Sequence, residues 1–239
     1  MTYSNLNDMP EEKFTALFYC APGIGKTTAI GKIAELSEGK TLILDIDRTT
    51  RALRKKDVVK DTSKIVVRKI DNIHTFEDWT NALKELVDLK NQGKLDFENI
   101  AVDNISELER CVLSDLGSQG KNKGVPAQAD YQYMQFKLVN SLRLMKSLGV
   151  NVIWTAWETV EQFQNPDGSQ YNRQYPKMSA KIVDNICGLC DIVGKITTNK
   201  EGVRGIILEA TQNVYAKNQI DDRKGCLVED FIKFSKKGE

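Results

Sequence analysis

Residues 21–28, APGIGKTT, carry the sharpest chemistry in the sequence. They follow the apolar run FTALFYC (14 to 20) and open a run of helical periodicity, TTAIGKIAEL (27 to 36). Backbone N–H groups converge on a phosphate only where no Cβ obstructs them, so Gly23 and Gly25 let the loop wrap, and the helix N-terminus adds its positive dipole end. Pro22, Gly23, Ile24 and Gly25 then cradle the phosphates, and Lys26 reaches the β- and γ-phosphate oxygens. The Thr27 hydroxyl takes one coordination position on Mg2+, with Thr28 at the α-phosphate side. The expected ligands are ATP and Mg2+. The pattern G-x-x-x-x-G-K-[ST] asks for Gly where this chain has Cys20. The alternative is a Gly-rich strand-to-helix turn whose Lys is merely exposed.

Phosphoryl transfer also needs a carboxylate at the end of a neighbouring strand to hold the hydrated metal, and IAVDNIS supplies Asp103 after an apolar run. The competing role for Asp103 is a cap on the following turn. Asp45 and Asp47 in LILDID stand two apart and so on one side of a strand. Asp47 is nearer the strand's C-terminal end, where it can orient the attacking water. Cys187 and Cys190, in CGLC, are a lone pair; the cysteines at 20, 111 and 226 have no paired spacing, so core packing is expected rather than zinc. The one histidine, His74, begins a helix as a cap or surface residue, and its being alone removes most triad and multi-histidine metal chemistries.

The elements that must position these groups alternate. TLILDID (41 to 47), KIVVRKI (64 to 70), FENIAVDNI (97 to 105) and VNVIWTAW (150 to 157) read as strands. FEDWTNALKELVDLK (76 to 90) and YQYMQFKLVNSLRLMKSL (131 to 148) read as amphipathic helices. Such alternation gives an α/β fold with a mainly parallel sheet flanked by helices. After Glu158 the texture becomes antiparallel: QNPDGSQ (164 to 170) is a hairpin tip, and DIVGKITTNKEGVRGIILEAT (191 to 211) holds two β-rich runs joined by NKEG. LVEDFIKF (227 to 234) is expected as a short helix. With 239 residues, 41% of them hydrophobic, and no linker, one domain spanning 1–239 with short tails is expected. Lys plus Arg number 34 against 33 acidic residues, yet residues 48 to 69 hold nine cations and two Asp, a surface stretch or one that faces an anion. Five cysteines without a signal pattern point to a cytoplasmic protein, and no run is apolar enough to span a membrane.

APGIGKTT, LILDID, IAVDNISELE and VIWTAWE, in this order and at these separations, resemble the RecA-like P-loop NTPase core over nearly the whole chain. ADYQYMQF, NVIWTAWE, PKMSAKIVDNICGLCDIVGKI and YAKNQ resemble more closely the small phage-encoded RecA-like ATPases of single-strand annealing and recombination. The resemblance implies an ATPase whose catalytic residues are Lys26, Asp47, Asp103 and Lys217. The family more often has Glu where Asp47 stands. Trp157 falls where the family carries a polar γ-phosphate sensor. Lys217, in YAKNQIDDR, matches a Lys that reaches the neighbouring subunit's nucleotide, with Arg223 as its alternative. A homo-oligomer, ring or filament, is therefore implied, in the host cytoplasm if the chain is phage-encoded.

Residues 117 to 133 and 161 to 181 mix cations with aromatics. Lys121, Lys123, Arg173, Lys177 and Lys181 are suited to phosphates, and Phe163, Tyr171 and Tyr175 to unpaired bases. The resemblance makes both segments mobile loops that bind single-stranded DNA, with a single-strand-binding protein as a further partner. The first expectation is thus a DNA-dependent recombination ATPase. A nucleotide-switched DNA-binding or adaptor module with little hydrolysis is the second, a P-loop kinase of a small metabolite the third, and a helicase-loader ATPase a further alternative.

Overall fold

The computed structural model describes residues 13–55 and 58–233. Strand β1 (Thr15–Cys20) leads into helix α1 (Lys26–Leu36), followed by β2 (Thr41–Asp45), β3 (Ile65–Lys69), α2 (Thr75–Asn91) and β4 (Asn99–Asp103). Helices α3 (Ile105–Gln119) and α4 (Gln128–Lys146) come before β5 (Asn151–Gln164), β6 (Gln170–Pro176) and helix α5 (Ala180–Leu189). The chain continues through β7 (Ile192–Thr198), β8 (Arg204–Ile207), β9 (Lys217–Asn218) and β10 (Gly225–Leu227). One sheet runs in the order β10-β8-β7-β1-β5-β4-β2-β3, parallel from β3 through β7. β8 and β10 continue it antiparallel, β6 folds back on β5, and β9 pairs with β7.

Strands β1, β2 and β4 are buried along their whole length, as near-continuous apolar runs are when helices cover both sheet faces. Alternation then divides their side chains between two cores. Leu17 and Tyr19 face the side packed by α2 to α5 with Trp79, Leu108, Leu138 and Ile186. Ala16, Phe18 and Cys20 face the side packed by Ile30 and Ile33 of α1 and by Phe231. The expected α/β class, parallel sheet and C-terminal hairpins are thus those of the structure. Because β1, β2, β4 and β5 are parallel, their carboxyl ends open on one edge of the sheet, where ligands of such sheets gather.

Several elements differ from expectation. The residues expected as a helix over 227 to 234 form the end of β10 and a 3-10 turn at Val228–Asp230, with 234 outside the described residues. Arg223 explains the stop: its guanidinium donates to the carbonyls of Asp230 and Phe231 at 3.0 and 3.1 Å, and Phe231 packs edge-on against Phe18 at 4.8 Å. The two segments expected as mobile loops are largely regular. Residues 117 to 119 end α3 and 128 to 133 open α4, leaving Lys121 and Lys123 exposed on the connection. Residues 161 to 176 are the paired strands of the β5–β6 hairpin, and Lys181 lies in α5.

Candidate active site

The loop after β1 turns through positive φ at Gly23 (84°) and Gly25 (124°), a region L side chains rarely adopt. Gly25 is also the N-cap of α1, provides no side-chain cap, and is followed by no acidic residue in the first turn. The first N–H groups of α1 are therefore left for an anion. A Cβ at Gly25 would run into Arg204 Nε, and Arg204 donates to the Ile24 carbonyl at 2.9 Å. The hairpin strand β8 thus presses a guanidinium onto the loop beside Lys26, itself only 8% exposed.

Asp103 ends β4 fully buried, and the hydrogen bonds of its carboxylate all run to hydroxyls. Oδ2 accepts from Thr27 at 2.5 Å and from Thr49 at 3.1 Å, and Oδ1 accepts from Thr155 at 2.6 Å. Thr27 and Thr49 hydroxyls lie 2.8 Å apart. The structure therefore brings together Lys26, Thr27 and Asp103 as the sequence anticipates, and gives the alternative role of turn cap to the next residue. Asn104, joined to Asp103 by a cis peptide, accepts from Glu107 N at 2.9 Å to cap α3, and its amide donates to Asp47 Oδ2.

Asp45 and Asp47 do not share a strand face. Asp45 closes β2 and fastens the next turn, accepting from Thr49 N at 3.2 Å and Thr50 Oγ1 at 2.6 Å. Asp47 lies beyond the strand, and its Oδ1 is buried with no partner. Burial, followed by the charge of Asp103, raises its pKa from 3.8 to about 7 against the opposing pull of Lys26.

The donor set fits Mg2+. Thr27 and Asp103 are hard oxygen groups, and Mg2+ keeps most of its waters, taking few protein ligands beside substrate phosphates. No cluster of three or more His, Cys, Asp or Glu able to hold a metal occurs among the described residues, and an ion held in that manner needs none.

Other expected residues lie elsewhere. Lys217 sits toward the opposite end of the sheet, where β9 pairs with Ile192 and Val193 at the start of β7. Its ammonium donates to the carbonyls of Cys187, Gly188 and Cys190 at 3.3, 3.0 and 2.7 Å, so its three donors are spent closing α5. Arg223 is engaged by Asp221 at 2.6 Å and by the carbonyls named above. Neither cation is free to reach a neighbour's nucleotide. Tyr175 is buried, with its hydroxyl 3.2 Å from Asp184 Oδ1, and is not available for base stacking. Cys187 and Cys190 are buried, and His74 is exposed beside Asp71.

Phe163 and Tyr171 stack across the β5–β6 hairpin at 5.6 Å, and the Arg173 guanidinium covers both rings at 5.2 and 5.3 Å. Lys177 and Arg110 flank the Trp157 ring at 5.8 and 5.6 Å. The hairpin root is tied to the first turn of α3: Ser106 accepts from Trp157 N at 2.9 Å and donates to the Lys177 carbonyl at 2.7 Å. Glu158 pairs with Lys195 of β7 at 3.4 Å. Thr49, Asn104 and Arg204 are the site residues that sequence reasoning missed. Only Asn104, beside Asp103 and three before Glu107, carried a local signal, that of a helix N-cap.

A family model described as AAA domain, AAA_24, matches residues 12–220. The solved structure of a prototypical ATPase from the type III secretion system of pathogenic bacteria is similar at a TM-score of 0.46 and 16% identity. The alignment covers 80% of this chain and 53% of that one, so the chain spans about half the length of that protein. No curated protein matches the chain.

Proposed function

This chain belongs to the AAA_24 family of AAA domains, and on that premise we propose that it hydrolyses ATP while gripping single-stranded DNA, in recombination or strand annealing. The fold is that of a P-loop ATPase. One observation supports the coupling: β5 is a single strand that supplies Thr155 to Asp103 and runs on, beyond Trp157, to the aromatic and cationic face of the hairpin. A shift of Asp103 or Thr155 on nucleotide turnover has a stiff route to Phe163, Tyr171 and Arg173.

In this reading Lys26 and the loop N–H groups hold the phosphates, and Arg204 steadies the loop. Thr27 and Asp103 hold Mg2+, which neutralises charge on the transferred phosphoryl group when bound. Asp47 orients the attacking water and accepts its proton as the bond between the γ-phosphorus and the bridging oxygen breaks. Phe163, Tyr171, Arg173, Lys177 and the exposed Lys121, Lys123 and Lys181 bind the strand with little sequence preference. The protein assembles on DNA as a homo-oligomer, ring or filament, in the cytoplasm, that of a host cell if phage-encoded, with a single-strand-binding protein as a further partner.

A second reading, a nucleotide-switched DNA-binding or adaptor module with little hydrolysis, is favoured by Asp47, whose raised pKa leaves it half protonated near neutrality. A helicase loader of this class calls for a helical lid after residue 191, where the described residues form β7 to β10. The test is the oligonucleotide affinity and hydrolysis rate of an Arg173→Gln, Lys177→Gln protein. The reading expects weaker binding and a smaller DNA-dependent rise in rate; wild-type behaviour in both contradicts it.

A further inference from the structure

The turn that brings Thr49 to Asp103 has a second side. Beyond Thr49 the chain forms a 3-10 turn, Thr50–Arg54, whose Leu53 is buried under Gly31 of α1. This turn and edge strand β3 enclose an open cleft of about 570 Å3. Arg48, Arg51, Arg54 and Lys69 line it, all four exposed, and no carboxylate is among its lining residues. None of the four forms an ion pair among the described residues, and Arg48 is steadied by a 2.7 Å bond to the Ile70 carbonyl. Arg48 and Lys69 also border an adjoining lobe that holds Asp71, Glu77 and Asp78, where Asp71 meets His74 and Asp78 meets Arg68, so Arg51 and Arg54 are the cations that line the cleft alone.

Ile65 and Val67 form an apolar floor, alternating with Arg68, which points to the other face of β3. Positions three apart eclipse on a 3-10 turn, so Arg51 and Arg54 stand in a row about 6 Å apart by its ~2.0 Å rise per residue. From that row each planar guanidinium fork can take its own phosphate of one strand.

We propose that this cleft binds the phosphodiester backbone of a nucleic-acid strand. Each guanidinium engages a phosphate and displaces its counterions, and Val67 and Ile65 take the sugar and base faces. The site is separate from the β5–β6 hairpin and uses none of its residues.

The experiment compares wild type with an Arg51→Gln, Arg54→Gln protein by anisotropy of a labelled single-stranded oligonucleotide across a salt series. Both proteins are tested again with Arg173→Gln and Lys177→Gln added, and ATP binding serves as the check on folding. Removing two phosphate contacts is expected to flatten the log–log salt slope by about 1.4 and to weaken binding on the order of tenfold at low salt, in both backgrounds. An unchanged slope in both, with ATP binding retained, overturns the proposal. So does displacement of the oligonucleotide by pyrophosphate, or by polyglutamate of equal charge, that depends on Arg51 and Arg54 and is as effective as an unlabelled oligonucleotide. Those outcomes mark a small-phosphate site or a surface for acidic protein. A hairpin variant that binds like wild type overturns the hairpin reading alone.

Discussion

Asp47 sits between the charge of Asp103 and that of Lys26 with one oxygen buried and unpartnered, and its raised pKa has consequences of opposite sign for stability and for rate. A carboxyl with a pKa of 3.8 when unfolded and about 7 when folded holds its proton more tightly in the native state. Its contribution to the stability of the nucleotide-free protein is fully present below about pH 4 and lost as pH rises through 7. Denaturant unfolding should therefore show wild type losing stability between about pH 4 and 7 relative to Asp47→Asn. In the proposed role of Asp47 as the group that takes the water's proton, hydrolysis needs the ionised form, so Asp47→Asn should be slow at every pH and should lack whatever pH dependence this carboxyl gives the wild-type rate. Arg204 yields a second expectation. Alanine there removes the bond to Ile24 and should weaken ATP binding about tenfold, the worth of a charge-assisted hydrogen bond; a nucleotide titration indistinguishable from wild type would contradict the role.

At the scale of elements, the phosphate loop was legible because its residues are contiguous and their types follow directly from anion binding. Thr49, Asn104 and Arg204 reach the same spot from the ends of β2, β4 and the C-terminal hairpin, so no local spacing betrays them. Helix α3 was obscured by buried polar positions, Ser106, Glu109 and Asp115, that break its apolar period. Two of these hold neighbours in place: Glu109 accepts from Ser179 N at 3.1 Å at the start of α5, and Asp115 from Phe76 N at 2.8 Å at the start of α2. Helix α5, with Ser179 as its N-cap and Ile182, Val183 and Ile186 buried, is not among the helices expected from the sequence, and its first residues lay inside a segment expected to be a DNA loop. The other end of α5 is closed by Lys217. Lys217→Met should cost about 2 kcal/mol in denaturant unfolding by stranding three carbonyls, and leave the ATP hydrolysis rate of the folded protein near that of wild type. A collapse in hydrolysis with unaltered stability would restore the expectation that this lysine acts on nucleotide.

Across the whole molecule, the alternation of strand and helix makes the sheet parallel, and its lateral order sets β5 between the phosphate-loop strand β1 and the Asp103 strand β4. That placement makes one strand the partner of both and the root of the hairpin, so the phosphate-loop site and the aromatic and cationic face of the hairpin share one continuous strand. The register fixes it further: Cys20 pairs with Trp157 as Thr155 reaches Asp103. The sequence pattern shows the strands, while their lateral order and the continuation of β5 into the hairpin depend on long-range pairing that no window contains. The most direct measurement is the ATP hydrolysis rate of the purified protein with and without single-stranded DNA, with Lys26→Ala as the blank. The rate is expected to depend on Lys26 and to rise with DNA; a Lys26-dependent rate indifferent to DNA would contradict the coupling through β5.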